Sequence, residues 1–348
     1  MVLTDRQQSI LHCIVIDHIK TANPIASESI ANRHDLGISS ATIRNDVAKL
    51  EEAGYITRPH LSAGSIPLDS GYRSYVEHFF STTRNRSHRF SGFTSHFRQK
   101  ITDSEIDLDS RTQIAASIIS RILGTLALVT FPKSNQSKIR HLELVYLNNS
   151  MGMLIVVLDH AKITKRIIKL SNNLTRSTFD SAFNKVKDIC IGLRKKQLTK
   201  LIKTKLIKSD MLNLENLLLR EIFSIMNREE REAGSDHYLY GLKNILAQPE
   251  FADRSKGYSI VEAVEDGRLA EAVVSQSPKL GVLEIRIGRE NKGDFLWPLS
   301  VIMTEYGIVG ESVGFLGVIG PTRMDYTKAI TIVDEASKVM SKMVEEVR

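Results

Sequence analysis

The chain has 348 residues, 42% of them hydrophobic and 25% charged, with a formal net charge of +7. That length allows two or three domains, each with its own core, and no run of eighteen apolar residues offers a membrane span. Cys13 and Cys190 are too few for a disulfide framework or a zinc set, and MVLTDRQQSI lacks the segments of a signal peptide, so a cytoplasmic protein is expected.

The positive charge suits a polyanionic partner without locating it. Residues 162–208 hold fourteen Lys or Arg against Asp180 and Asp188, whereas residues 1–100 hold twelve basic and nine acidic groups. A nucleic-acid surface therefore has to be found from particular side chains.

In chain order, TDRQQSILHCIVIDHIK opens with Thr4 or Asp5 as a cap and carries Ile10, Leu11, Ile14 and His18 at helical spacing. Asn23-Pro24 stops it. SESIANRH is a short second helix, and HDLGIS is a turn in which Gly37 can take positive φ. SSATIRNDVAKLEEAGYI is the third helix, capped by Ser39 or Ser40 and closed by Gly54. Ile43, Val47 and Leu50 share one face. Ala41, Asn45, Ala48 and Lys49 face the other way, with Thr42 and Arg44 on the flanks. YITRP and IPL then bracket the small-residue tip HLSAGS as a hairpin.

Helix, helix, turn, helix and a two-stranded ribbon make a winged helix-turn-helix, in which the helix after the turn enters the DNA major groove by its N-terminal end. Ala41 and Ala48 keep that face slim, Asn45 suits adenine, Arg44 suits guanine or phosphate, and Thr42 suits phosphate or a thymine methyl. Ser40 and Lys49 complete the helix's DNA-facing set, and Arg58, His60 and Ser62 sit where a wing touches the backbone or minor groove. The alternative is a protein-docking module with a merely solvated helix face.

DSGYRSYVEHFF is a fourth helix capped by Asp69, whose Tyr72, Tyr75, Val76, Phe79 and Phe80 read as core or dimer contacts, and a polar linker follows from Ser81 to Gly92. TLALVTF, KIRHLELVYLN, MGMLIVVLD and ITKRIIKL read as an antiparallel meander. Residues 174 to about 248 read as helical. LGVLEIRIG, LSVIMTEYG and VGFLGVIG return to strand, and DYTKAITIVDEASKVMSKMVEEV ends as an amphipathic helix. The fold class is thus α+β with a helical insertion. Expected domains are 1–72 (winged helix), 73–104 (connecting helix and linker), 105–173 (central domain, first part), 174–250 (insertion) and 251–348 (central domain, second part).

No GxxxxGK[ST], HExxH or paired CxxC occurs, so no enzyme, cofactor or metal is expected. GFLGVIGP does not open a helix and makes a poor dinucleotide loop. Arg289, Glu290, Asn291, Lys292 and Asp294 read as a charged turn. Gly320, Pro321, Thr322, Arg323 and Tyr326 mark a strand-to-helix junction with Thr322 as a cap. There Arg323 opposes the helix dipole and calls for a partner, Glu290 or Glu305, in a structural or interdomain lock, with a ligand contact as the alternative.

The stretches SSATIRNDVAKLEEAGYITRPHLSAGSIPLDSGYRSYV, LYGLKNILAQPEF, IGRENKG and GFLGVIGPTRMDY resemble the HrcA family of bacterial heat-shock repressors. The resemblance spans nearly the whole chain. It implies a homodimeric winged-helix repressor of a CIRCE-type inverted-repeat operator in double-stranded DNA, located at the nucleoid. It further implies a GAF-like central domain with an inserted dimerisation domain, and modulation by the GroE chaperonin. On that analogy Thr42, Arg44 and Asn45 fall in the family's ATIRN recognition segment and His60 to Gly64 in its wing. Where the family reads SAGRIPTDKGYR, this chain has Ser65, Leu68 and Ser70 in place of an Arg, a Thr and a Lys. Weaker, less salt-sensitive operator binding follows as an expectation. A small-molecule-gated regulator is the rival reading.

Overall fold

The computed structural model of the chain describes residues 3–60, 63–82, 91–101, 107–132, 138–148, 150–158, 163–170, 176–207, 213–231, 237–276, 281–308 and 312–346. They fall into two compact units. The first comprises residues 1–130, 237–306 and 315–340; the second comprises 131–236 with 307–314 and 341–348.

The first unit begins with α1 (Asp5–Thr21), α2 (Ser27–Arg33) and α3 (Ser40–Glu52), then the ribbon of β1 (Ile56–Thr57) and β2 (Ile66–Pro67), paired antiparallel. Thr4 caps α1 through a capping box with Gln7, and Ile10, Leu11 and Ile14 are fully buried as their spacing requires. α4 (Asp69–Thr82) follows, then α5 (Ser91–Ile101) and α6 (Leu108–Leu123). The linker expected from Ser81 to Gly92 falls largely outside the described residues.

The centre of this unit is a five-stranded sheet. In chain order its strands are β3 (Leu126–Thr130), β7 (His237–Tyr240), β8 (Glu284–Ile287), β9 (Leu299–Ile308) and β10 (Ser312–Pro321), and across the sheet they run β7-β3-β10-β9-β8. One face packs Leu126, Leu128, Leu299, Val301 and Ile319 against Ile245, Phe251, Ile260, Leu269 and Val273, contributed by α10 (Leu242–Leu246), α11 (Arg254–Glu265), α12 (Arg268–Val274) and the turn before α11. On the other face Ser300 meets Tyr326, the first residue of α13 (Tyr326–Glu346). Every residue of β3 is buried, as a strand covered on both faces must be.

The second unit is a three-stranded antiparallel sheet, β4 (Ile139–Asn148), β5 (Met151–Leu158) and β6 (Ile163–Lys169), with α7 (Arg176–Cys190), α8 (Lys195–Ile207) and α9 (Asn213–Arg231). Leu142, Leu154, Val156 and Ile168 pack on Phe179, Val186, Leu218 and Ile222 in a core of its own. The opposite sheet face is open: Val145, Met153, Ile155 and Val157 are half-buried, while Ile163 and Ile167 are 59% and 63% exposed.

This arrangement differs from the sequence reading in three ways. TLALVTF does not join the meander; β3 pairs with β7 and β10 in the first unit. The meander itself packs on α7 and α9, so the second unit starts at residue 131, rather than at 174 as the insertion was expected to. HYLY breaks the expected helical stretch as a strand, because its backbone completes the β3 edge. The α11–α12 pair was not anticipated.

Candidate nucleic-acid interface

α3 is held from below and left free above. Ser39 caps it, its hydroxyl accepting from Thr42 N at 3.2 Å and lying 2.9 Å from the Thr42 hydroxyl. Ile43, Val47 and Leu50 are buried against the neighbouring helices. Asp46 is buried with them at 1% exposure, because Arg6 of α1 grips its carboxylate through Nε at 2.6 Å and Nη2 at 3.2 Å. A carboxylate so desolvated requires its cation, which fixes α3 on α1.

The outer face carries Ser40, Ala41, Arg44, Asn45, Ala48 and Lys49, all exposed, with Thr42 half-exposed at the edge. Among the described residues, neither Arg44 nor Asn45 forms a side-chain hydrogen bond or ion pair. A slim face bearing an unengaged guanidinium and carboxamide near a helix start, with free backbone N–H groups, offers what base edges and phosphates accept.

The ribbon stands beside it. Its base is stapled to the segment between α1 and α2 by two backbone bonds, Ile25 N to Ser65 O at 2.9 Å and Ser65 N to Ile25 O at 2.8 Å. Gly64 permits this approach, since a Cβ there would come within 2.5 Å of the Ile25 backbone. His60 is exposed, and Ser62 lies outside the described residues. Arg58 is not a free wing cation here: its Nη2 lies 3.3 Å from Glu51 of α3. Ser65, where the resembling family carries Arg, is 2% exposed, and Ser70 donates to Gly54 O at 2.5 Å. Leu68 is exposed.

Two clamps join this head to the five-stranded sheet within the first unit. At the start of α4, Asp69 accepts from Arg289 N at 2.9 Å, and Arg73 makes a forked ion pair with Glu290 while also donating to Ile285 O at 2.7 Å. Glu290 accepts from Ile287 N at 2.9 Å, and buried Asn291 donates to Gly288 O and Leu299 O. The IGRENKG turn is thus an anchor for α4. Gly288 has φ +54, and a Cβ on it would sit 2.2 Å from the Asp69 carboxylate. The second clamp is Arg323, which donates to Ile19 O of α1 at 3.1 Å and Gln248 at 2.8 Å, and pairs with Glu250. Glu290 and Glu305 are therefore not its partners: Arg73 occupies Glu290, and Glu250 in the QPEF turn takes Arg323.

Gly320 and Pro321 end β10. Thr322 does not cap α13; Asp325 does, accepting from Lys328 N at 3.0 Å, while Thr322 O accepts from Tyr326 at 2.5 Å. Tyr326 also meets Ser300 at 2.8 Å and lies beside the Tyr72 ring. Burial raises the Tyr72 and Tyr326 phenols well above their ordinary range. Tyr72 shares a hydrogen with His18 Nδ1 at 2.7 Å. Burial, aided by the Arg323 charge and opposed by Glu250, pushes His18 down to about 4. His12 is half-buried with its ring tilted 59° to that of His78, and partial burial together with the His78 charge likewise pushes it down to about 4.

Sequence reasoning did not single out Asp46, Arg6, Arg73, Gln248 or Glu250 for these contacts. Asp46 had one signal, its position three residues after Ile43 on the apolar stripe.

Among known proteins, a family model described as the HrcA protein C-terminal domain matches residues 109–330, and a DeoR-like helix-turn-helix model matches residues 6–67. The chain is 34% identical to the heat-inducible transcription repressor HrcA of Dehalococcoides mccartyi over 99% of its length and 96% of the relative's. It is 32% identical to the protein of the same name from Shouchella clausii, covering 98% of each. Among solved structures, a hypothetical protein matches over the whole of both chains with a TM-score of 0.66 at 22% identity, a likeness of fold.

Proposed function

Because the chain belongs to the HrcA family, we propose that it is a heat-inducible repressor that acts as a homodimer on a CIRCE-type inverted repeat ahead of chaperone operons. Each α3 enters the major groove of one half-site by its N-terminal end, so two-fold symmetry in the protein matches two-fold symmetry in the operator. The observation that carries this reading is the exposed, unengaged pair Arg44 and Asn45 on a face whose opposite side is fully buried. Ser40, Thr42 and Lys49 serve phosphates, and His60 and Ser62 serve the wing. Arg58 joins them only by leaving Glu51.

The open apolar face of the second unit's sheet supports homodimerisation, since Ile163 and Ile167 are costly to leave in water. Release on heat stress, modulation by the GroE chaperonin and work at the cytoplasmic nucleoid come from the family resemblance. A small-molecule-gated version of the same repressor draws on a cleft of about 300 Å³ between the end of α1 and the start of α13.

A mobility shift with an inverted-repeat operator tests the assignment. Arg44→Ala and Asn45→Ala are each expected to weaken specific binding by about 10- to 100-fold, the worth of one good base contact. Full affinity and selectivity in both variants would remove α3 from the interface.

A further inference from the structure

Glu51 sits where a helix least favours an acid. It lies in the last turn of α3, whose carbonyls carry partial negative charge, and Glu52 follows it at the helix end. A carboxylate placed there calls for a cation, and Arg58 supplies one, its Nη2 lying 3.3 Å from Glu51 Oε2. Arg58 follows directly on β1, whose Thr57 pairs with Ile66, and precedes Pro59, which holds the Arg58 backbone extended. The guanidinium is therefore presented from a fixed point at the root of the ribbon tip. Among the described residues, Glu51 is the only carboxylate that pairs with it.

The pair is shallow. Arg58 and Glu51 keep 32% and 36% of their side-chain surface, so water screens the attraction and an incoming anion can replace it. The ribbon also has little charge in reserve. Arg58 is the sole Lys or Arg between Tyr55 and Pro67. Ser65 is buried and Ser70 is engaged with Gly54 O, so neither adds a donor for phosphate. Glu51 thus stands as an oxyanion beside the one guanidinium that the ribbon carries.

We propose that Glu51 sets the affinity of this chain for duplex DNA by competing with a backbone phosphate for Arg58, an inference that rests on α3 and the ribbon being the DNA interface. When Arg58 turns to a phosphate it exchanges one exposed anion for another of similar strength, so the contact adds little net affinity. A guanidinium already neutralised also displaces few counterions from the duplex. Sequence-independent grip by the ribbon is thereby kept low, and Arg44 and Asn45 on α3 carry the larger share of recognition.

The test is a double-mutant cycle on the full chain, binding an inverted-repeat operator and a scrambled duplex of equal length at several salt concentrations. Glu51→Gln keeps the shape and removes the charge. It is expected to tighten both duplexes by about two- to fivefold and to steepen the slope of log affinity against log salt by about 0.9, the signature of one phosphate. Arg58→Gln is expected to stay within about twofold of the parent. In the Arg58→Gln background, Glu51→Gln is expected to bring less than half of its gain and no change of slope. A merely structural staple predicts the opposite sign, since loosening the ribbon would weaken binding. Unchanged or weaker binding by Glu51→Gln overturns the proposal. So does an equal gain in the double variant, which would mean that Glu51 simply repels the duplex. A loss of about tenfold or more in Arg58→Gln also overturns it, because Arg58 would then grip phosphate despite Glu51. Arg44→Ala in the same series tells the two failures apart. If it binds weakly while Glu51→Gln matches the parent, only this proposal falls; if it keeps full affinity, the interface falls and the proposal with it.

Discussion

Histidines 12 and 18 show how burial decides chemistry at a single residue. Both imidazoles are held neutral to about pH 4, whereas in the unfolded chain they titrate near 6.5. Between those values the unfolded state binds the extra protons, so stability falls as pH drops from about 6.5 towards 4, and these two groups add no further loss below that. Thermal melts between pH 7.5 and 4.5 should show the decline, and it should shrink in His12→Gln. A flat profile would mean that the rings are reached by water in the native state. At this scale periodicity places Asn45 opposite the stripe of Ile43 and Val47 and Arg44 on its flank, and both side chains are exposed in the structure. It did not show who holds Arg323, since Gln248 and Glu250 are more than seventy residues away along the chain and nothing in their spacing points back.

Among elements, the 288–290 turn has the sharpest consequence. A residue with a Cβ at 288 meets both a left-handed backbone and the Asp69 carboxylate at 2.2 Å. Gly288→Ala is therefore expected to cost about 2 kcal/mol or more. Gly267 has φ +73 with open space where a methyl would project, so Gly267→Ala costs only the backbone penalty of about 1 kcal/mol. Chemical denaturation of the two variants side by side checks this; equal losses would mean that the α4 anchor gives way freely. The helices of the head were legible from caps and apolar stripes. The allocation of strands was less so. LALVT is buried at every position, the mark of a strand covered on both faces, whereas MGMLIVVL buries alternate residues and leaves one face open. In sequence both runs are almost wholly apolar, so nothing in their letters separates them; only the pairing partners and burial do.

For the molecule as a whole, charge placement governs how it meets DNA. Position 65 is buried at the base of the ribbon and position 70 is engaged with Gly54, so this chain has no cation at either place. With two fewer basic groups near the wing, the slope of log affinity against log salt should be shallower than that of a relative carrying them by up to about two units. Titrating the same operator at several salt concentrations measures it, and an equal or steeper slope would show that other cations contact phosphate. The return to strand after a helical block was legible, but the start of the second unit was not, because the ladder between β3 and β7 is made by residues more than a hundred positions apart.

That ladder has one more implication. Thr130 and His237 sit directly opposite each other, so everything from 131 to 236 leaves and re-enters through a single doorway one strand-spacing wide. A tight two-residue turn such as Asn-Gly could bridge the gap and excise that whole stretch as a cassette. On the proposed homodimer, with its seam on the open sheet of the second unit, the trimmed protein is expected to sediment as a single copy and to grip one half-site alone, turning a two-handed clasp into one hand.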